Sequence, residues 1–430
     1  MINPNKASTV RLRILLILIA MSFIAYVLRT NLSFAAPEMM ADLGLSEIQW
    51  GWVMAAFTAG YTIFQFPGGV LGDRLGPRRV LTALVILWVI FTVVTSLVPS
   101  GETSSVAVIL GSLMLVRFLV GVTHAPVFPV INASVVRWFP PGRWALPLGL
   151  SSTGLTLGGA AGAVAVPYLV AELGWRPAFL IIAPLGLVIA WLWWWYARDN
   201  PRDHPDISDA EAEFIEAGRE PSALSAPEPG PPMWLQVLKN RDVLLLTLSY
   251  ASMNYVFYIV FNWFFYYLVE VREFSATDAG FVASAQWIAG AVGATFGGWL
   301  CDRMCRTVGL RWGCRWPIVL GMGVSVLLLL VGAFHPSAWI AVTAMVLLFF
   351  FNQINEGPYW AASVAIGGRH AGAAGGVMNT GANAMGIVNS LLVPWLAAGF
   401  GWTVAIASAA VFALAGIILM LLVRPDCPVE

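Results

Sequence analysis

Gly69-Val70-Leu71-Gly72-Asp73-Arg74-Leu75-Gly76-Pro77-Arg78-Arg79 is a short, charged, glycine-rich turn set between two long apolar segments, and a shortened echo, Gly298-Trp299-Leu300-Cys301-Asp302-Arg303, lies far downstream. A small-residue helix end followed by an Asp-Arg pair lets two membrane helices approach closely and ties their ends with a charge contact. Gating or structural roles are therefore expected for Asp73, Arg74 and Arg78 in the first copy, and for Asp302 and Arg303 in the second. The echo marks a repeat of the first motif in the later part of the chain.

The rest of the composition agrees with a membrane setting. Of 430 residues, 59% are hydrophobic and 11% charged, with a mean hydropathy of +0.78, too apolar and too poor in charge for a soluble globular domain. A membrane helix needs about 20 apolar residues, and such segments run over 13–36, 47–70, 79–98, 106–131, 145–171, 176–197, 242–269, 277–300, 315–334, 338–364, 371–398 and 402–423. The expected fold is all-α and polytopic, with twelve transmembrane helices in two six-helix halves: 1–197, a linker 198–241, and 242–430. Within the linker, Asp206 to Glu211 reads as a short interfacial helix and the proline-rich Pro221 to Pro232 as flexible.

Cations set the orientation, because loops on the cytoplasmic side hold the excess of Lys and Arg. With the N-terminus inside, Arg74, Arg78, Arg79, Arg137, Arg143, Arg303, Arg306, Arg311, Arg315, Arg369 and Arg424 all fall inside, and only Arg176 and Arg272 fall outside. Both termini are expected in the cytoplasm of a cell whose inner membrane holds the chain, with the first helix retained. The 23 Lys and Arg balance 23 Asp and Glu, so nothing points to nucleic acid. Cys301, Cys305 and Cys314 cluster in one basic loop and Cys427 stands near the end; they read as loop thiols, with no disulfide, no metal site and no cofactor expected.

Ionisable residues inside a span carry a functional hypothesis by default. On helix one, Ser22, Tyr26, Arg29 and Ser33 share a face, which suits an anion: a guanidinium to grip a carboxylate and hydroxyls to orient it. The plainer alternative is an arginine that snorkels to the interface. Helix four carries Arg117, Gly121, His124 and Phe128 on one stripe. Arg117 reads equally as a structural charge, and His124 as a buried, satisfied histidine or as a proton carrier. Helix seven offers Asn254, Tyr255, Tyr258, Asn262 and Trp263, of which Tyr258 and Asn262 are the candidates. Helix ten brings Gln353, Asn355, Glu356 and Trp360, with Glu356 the one acid well inside a span. Helix eleven adds Asn379 and Asn383.

The first motif resembles the loop 2-3 signature of the major facilitator superfamily. Tyr26-Val-Leu-Arg29-Thr-Asn31-Leu-Ser33, Arg117-Phe-Leu-Val-Gly121, Ala125-Pro-Val-Phe-Pro129, Trp175-Arg-Pro-Ala-Phe179, Arg198-Asp-Asn-Pro201 and Gly375-Gly-Val-Met-Asn379 with Asn383 are similar to its anion:cation symporter family. That resemblance implies carboxylate-gripping roles for Tyr26 and Arg29 and substrate contact for Asn379 or Asn383. Two positions depart from it: Leu28 and His124 stand where bacterial sugar-acid members carry acids implicated in proton coupling. The Tyr-x-x-Arg-x-Asn string is also similar to organophosphate:phosphate antiporters, but helix seven has no arginine in its span.

The expectation is a monomeric carrier in a lipid bilayer that takes up a small organic anion with protons by alternating access. It is not expected to be an enzyme. Tyr26, Arg29, Ser33, Tyr258, Asn262, Trp360, Asn379 and Asn383 would bind substrate, and His124 and Glu356 would couple protons. The alternatives are a proton-independent uniporter or exchanger, with an organophosphate as second substrate class, and a transport-fold sensor. Trp263, Trp287 and Trp360 on lining helices hint at an acid less polar than a sugar acid.

Overall fold

A computed structural model describes residues 9–99, 104–140, 145–216, 237, 239–367 and 371–427. Among these, ten helices are long and apolar enough to cross a membrane. One of them, Ala276–Phe334, is broken at Gly309 and makes two crossings, and Glu47–Leu75 adds another, which brings the count to the expected twelve.

The turns explain where the helices stop. Gly76, Gly174, Gly309 and Gly401 have φ of 85°, 82°, 84° and 84° with ψ of 144° to 164°. Side chains are essentially barred from that region. They sit between crossings two and three, five and six, eight and nine, and eleven and twelve, so the two sets of six helices repeat the same turns in the same places. The Ser46 hydroxyl accepts from the Gln49 backbone N–H at 3.3 Å, and the Gln49 side chain accepts from Ser46 N–H at 2.9 Å, a capping box that starts crossing two.

The Gly69–Arg79 stretch differs from its expected form. Helix continues to Leu75 and only Gly76 turns. The reason is packing: a Cβ on Gly68 would fall 2.1 Å from Pro126 Cγ, and one on Gly72 2.4 Å from Val130 Cγ2, so these glycines bring crossing two against crossing four. The same device recurs. Cβ atoms on Gly60 and Gly121 would meet the carbonyls of Phe118 and Phe57 at 2.3 and 2.0 Å, and on Gly293 and Gly297 those of Phe350 and Ile354 at 2.2 and 2.0 Å. Between apolar helices in lipid, such close backbone approach replaces the hydrophobic drive that water would supply.

Crossings four and ten are each interrupted midway. The fourth consists of Val106–His124 and Val127–Trp138, the tenth of Ala338–Ile354 and Glu356–Gly367. Pro129 and Pro358 lack the N–H that would bond the carbonyls of Ala125 and Ile354, which accounts for both breaks.

A short helix does form in the linker, but over Asp209–Glu216, beginning three residues later than the expected Asp206–Glu211 and running five residues past its end. Its buried Glu211 accepts from the backbone N–H of Val10 at 3.1 Å and of Arg11 at 3.2 Å, and pairs with the Arg11 guanidinium at 3.1 Å. A carboxylate thus caps the first crossing where the helix dipole favours negative charge. Pro221 to Pro232, Arg143 and Arg369 lie outside the described residues.

Both cations on the face opposite the termini are tied down. Arg176 pairs with Asp42 at 2.5 Å, and Trp175 Nε1 donates to the same oxygen at 2.9 Å. Burial pushes the Asp42 carboxyl up, but these two donors outweigh it and hold the carboxyl below its usual range. The Arg272 guanidinium donates to Tyr267 OH at 2.7 Å and to the Gly332 carbonyl at 3.0 Å.

Adjacent glycines test the packing account. Gly297→Ala should lower thermal stability by about 1–3 kcal/mol through overpacking. Gly298→Ala, whose Cβ would meet nothing within 4 Å, should be neutral or slightly stabilising. Equal melting temperatures for the two variants would refute it.

Candidate functional site

Arg29 is only 7% exposed, and its guanidinium sits among four rings: Tyr61 at 4.8 Å, Phe261 at 5.1 Å, and Tyr26 and Phe57 at 5.3 Å. Nη1 donates a long bond to Tyr26 OH at 3.4 Å, and Nε has no hydrogen-bond partner. Arg117, also buried, lies 4.9 Å from the Phe57 ring, and its Nε is likewise unpartnered. Among the described residues neither arginine has a carboxylate within 4.0 Å. Cation–π contacts contribute roughly 0.5–2 kcal/mol each, whereas removing an ion from water costs several kcal/mol. Two buried cations beside one phenyl ring therefore form a region short of negative charge, and snorkelling does not describe Arg29.

A cavity of about 250 Å³ lies between the two sets of six helices, on the terminus-bearing side of Tyr26. Crossings one, five, seven, eight and ten line it. Its polar wall includes Tyr26, Ser152, Thr156, Asn254, Gln353 and Glu356; Phe257, Trp287 and Phe349 are its largest apolar members. Glu356 opens the second part of crossing ten, and its Oε1 accepts from Tyr250 OH at 2.8 Å and Trp360 Nε1 at 2.9 Å. Gln353 Oε1 is buried without a partner. Among the described residues no cation lines the wall, which Tyr26 reaches and Arg29 does not.

Several expected site residues lie behind the wall and are linked. Tyr258 OH donates to Asn383 Oδ1 at 2.9 Å, while Asn383 Nδ2 donates to the Asn379 carbonyl at 2.8 Å and to Gln65 Oε1 at 3.4 Å. Asn262 Nδ2 donates to Ser390 Oγ at 3.1 Å. Ser22 and Ser33 are buried, the Ser22 hydroxyl without a partner. Trp360 is partly exposed, and Trp263 packs on Trp402 at 5.6 Å, away from the cavity. Of the three tryptophans only Trp287 lines the wall, its ring edge-on to Tyr26 at 5.7 Å.

His124 is enclosed. Its ring stacks on Trp88 at 4.5 Å; Nδ1 faces the Val120 carbonyl at 3.0 Å and Nε2 the Ala25 carbonyl at 3.3 Å. A neutral imidazole can donate to only one of these.

At the terminus-side ends, Arg78 N–H donates to Asp199 Oδ1 at 2.9 Å and its guanidinium to the Trp194 carbonyl at 2.7 Å, joining the loop to crossing six. Arg74, Asp302 and Arg303 are exposed, and the Asp73 side chain lies outside the described residues. The three clustered cysteines lie on helix ends flanking Gly309 and not in a loop, with their sulfurs together.

On the opposite face the two sets of helices meet. A Cβ on Gly51 would fall 2.3 Å from the Ser390 carbonyl, and one on Gly280 2.5 Å from that of Ala163. Glu47 Oε1 accepts across the junction from Tyr266 OH at 3.0 Å and Trp402 Nε1 at 3.1 Å. Sequence reasoning passed over Glu47, Gln65, Phe57, Tyr61 and Tyr250. The four-residue spacings of Phe57 with Tyr61 and of Tyr250, Asn254 and Tyr258 were the available signals.

Residues 18–310 match the Major Facilitator Superfamily profile. The chain is 30% identical over 384 residues to a protein of Cupriavidus necator described as a probable sulfoacetate transporter, covering 89% of this chain and 86% of that one. It is 29% identical to the hexuronate transporter of Bacillus subtilis, covering 90% and 88%. Among solved structures, a bacterial homologue of the human lysosomal transporter Spinster superposes with a TM-score of 0.79 at 17% identity, covering 97% and 98%.

Removing the Glu47 carboxylate tests the junction it spans. Glu47→Ala forfeits two hydrogen bonds to a charged acceptor, about 1.5–3 kcal/mol each. Backbone hydrogen exchange over 47–55 should then rise about tenfold or more, with 106–124 unaffected. Unchanged exchange at 47–55 would mean that Glu47 holds nothing shut.

Proposed function

Since the chain belongs to the Major Facilitator Superfamily, and so is a multi-pass membrane transporter and not an enzyme, we propose that it carries a small organic acid anion into the cell together with protons. Its relatives' substrates, sulfoacetate and hexuronate, are both small organic acids. In this reading residues 1–197 and 242–430 are two halves that rock about the cavity, joined by the linker 198–241. The chain works as a monomer in the inner membrane, with both termini in the cytoplasm. The cation bias of the terminus-side loops supports that orientation.

The observation that carries the proposal is the buried Arg29 guanidinium with no carboxylate beside it. An anion reaching it would supply the missing charge, with Tyr26 yielding its position between cavity and cation. Tyr258, Asn383, Asn379 and Gln65 would hold the surrounding polar groups, with Ser33 and Asn262 further along the same interface. Arg117, two helical turns from His124 and flanking the same phenyl ring as Arg29, adds positive potential.

Proton coupling follows from charge. Glu356 is the acid on the cavity wall, facing Tyr26, Tyr250 and Trp360. A substrate anion entering beside it repels the carboxylate and favours its protonated form, so anion and proton bind cooperatively. His124, packed between Trp88 and Phe57, serves better as a fixed core group than as a carrier.

Proteoliposome assays test both roles. Arg29→Lys should lose about tenfold to a hundredfold in affinity, because an ammonium cannot reproduce two parallel hydrogen bonds. Unchanged affinity would move the anion site elsewhere. Glu356→Gln should abolish accumulation driven by a pH gradient while substrate-for-substrate exchange survives; His124→Gln should retain both modes. If Glu356→Gln still accumulates substrate, the carrier is a proton-independent exchanger.

A further inference from the structure

The end of crossing eight and the start of crossing nine bring three thiols together. Cys301 and Cys305 are one helical turn apart, the left-handed Gly309 reverses the chain, and Cys314 returns beside them. All three sulfurs lie within 4.8 Å of one another, and Sγ of Cys301 and Cys305 are 3.9 Å apart. With metal–sulfur bonds of about 2.3 Å, a tetrahedral or trigonal ion needs sulfurs roughly 3.8–4.0 Å apart. The cluster is therefore within a small side-chain adjustment of a ligand set, whereas a disulfide would require contraction to about 2.05 Å.

The backbone is shaped for this approach. A Cβ on Gly313 would fall 2.5 Å from Cys305 Cα and N and 2.6 Å from its Sγ, so any other residue there would push the two helix ends apart. Cys301 and Cys314 are buried while Cys305 keeps partial access, which leaves a path for an ion. Arg303, Arg306 and Arg311 are exposed on the same hairpin, and Arg315 donates from Nε to the Val423 carbonyl at 3.0 Å.

We propose that Cys301, Cys305 and Cys314 form a three-thiolate site for a soft d10 cation, Zn(II) completed by a water or Cu(I) in a trigonal set. Soft sulfur ligands select these ions from those available in cytoplasm. Occupancy ties crossing eight to crossing nine directly beyond the Asp302-Arg303 echo.

The test loads the reduced, purified protein with Zn(II) or, anaerobically, with Cu(I), then desalts it and measures bound metal. The wild type and Cys427→Ser should retain one equivalent of one of the two ions. Cys301→Ser, Cys305→Ser and Cys314→Ser should each retain none. No retention by the wild type, or retention by any of the three variants equal to that of the wild type, overturns the site. Because a serine variant could misfold, residue-resolved alkylation of the wild type provides a second reading. The retained ion should slow labelling of Cys305 at least tenfold without changing that of Cys427, and equal labelling with and without the ion also overturns the proposal.

Discussion

A guanidinium held away from water without a carboxylate beside it is the constraint on which the centre of this protein depends. Arg29 is stabilised by four aromatic faces, and one of them, Phe261, comes from the other set of six helices. The ring quadrupoles offset part of the desolvation cost but leave net positive charge, and Arg117 adds to it. Substituting leucines for these rings would leave a bare ion in hydrocarbon, whereas a permanent carboxylate alongside would neutralise the cation. The aromatic box thus stabilises the cation without neutralising it, and through Phe261 it joins the two sets of six helices.

Around that centre the two sets of helices use the same local solutions. Left-handed glycines close corresponding turns, glycine-on-carbonyl contacts join crossing two to four and eight to ten, and prolines interrupt crossings four and ten midway. The last of these repeats matters most for chemistry. A broken helix frees backbone groups at membrane depth, which is tolerated only where protein or a cavity satisfies them. In crossing four the break falls beside His124, which is packed over; in crossing ten it falls beside Glu356, which faces the cavity.

The crossings and the ionisable residues within them were legible because length and burial cost are properties of single segments. Tyr26, Arg29 and Glu356 declared themselves in this way. Which face of a helix looks inward was much less legible, since lipid and core are equally apolar and periodicity fades. Trp263 and Trp287 stand on consecutive membrane crossings, yet one packs on Trp402 and the other on the cavity. Gly69 to Gly72 suggested a turn because glycine usually marks one, whereas in lipid it equally marks a tight helix contact. The meeting of Cys314 with Cys301 and Cys305 depends on the register set by Gly309, which spacing alone does not provide.

The junction opposite the termini is built mainly of backbone against backbone, Gly51 on Ser390 and Gly280 on Ala163, with Glu47 bonded to neutral partners. Dispersion and weak Cα–H···O contacts of this kind do not depend on counterions. A junction held by paired charges loosens as salt screens them over a Debye length of about 8–10 Å; among the described residues no ion pair crosses this one. Contact on that face therefore rests on close backbone packing and on bonds to neutral groups, neither of which needs a counterion.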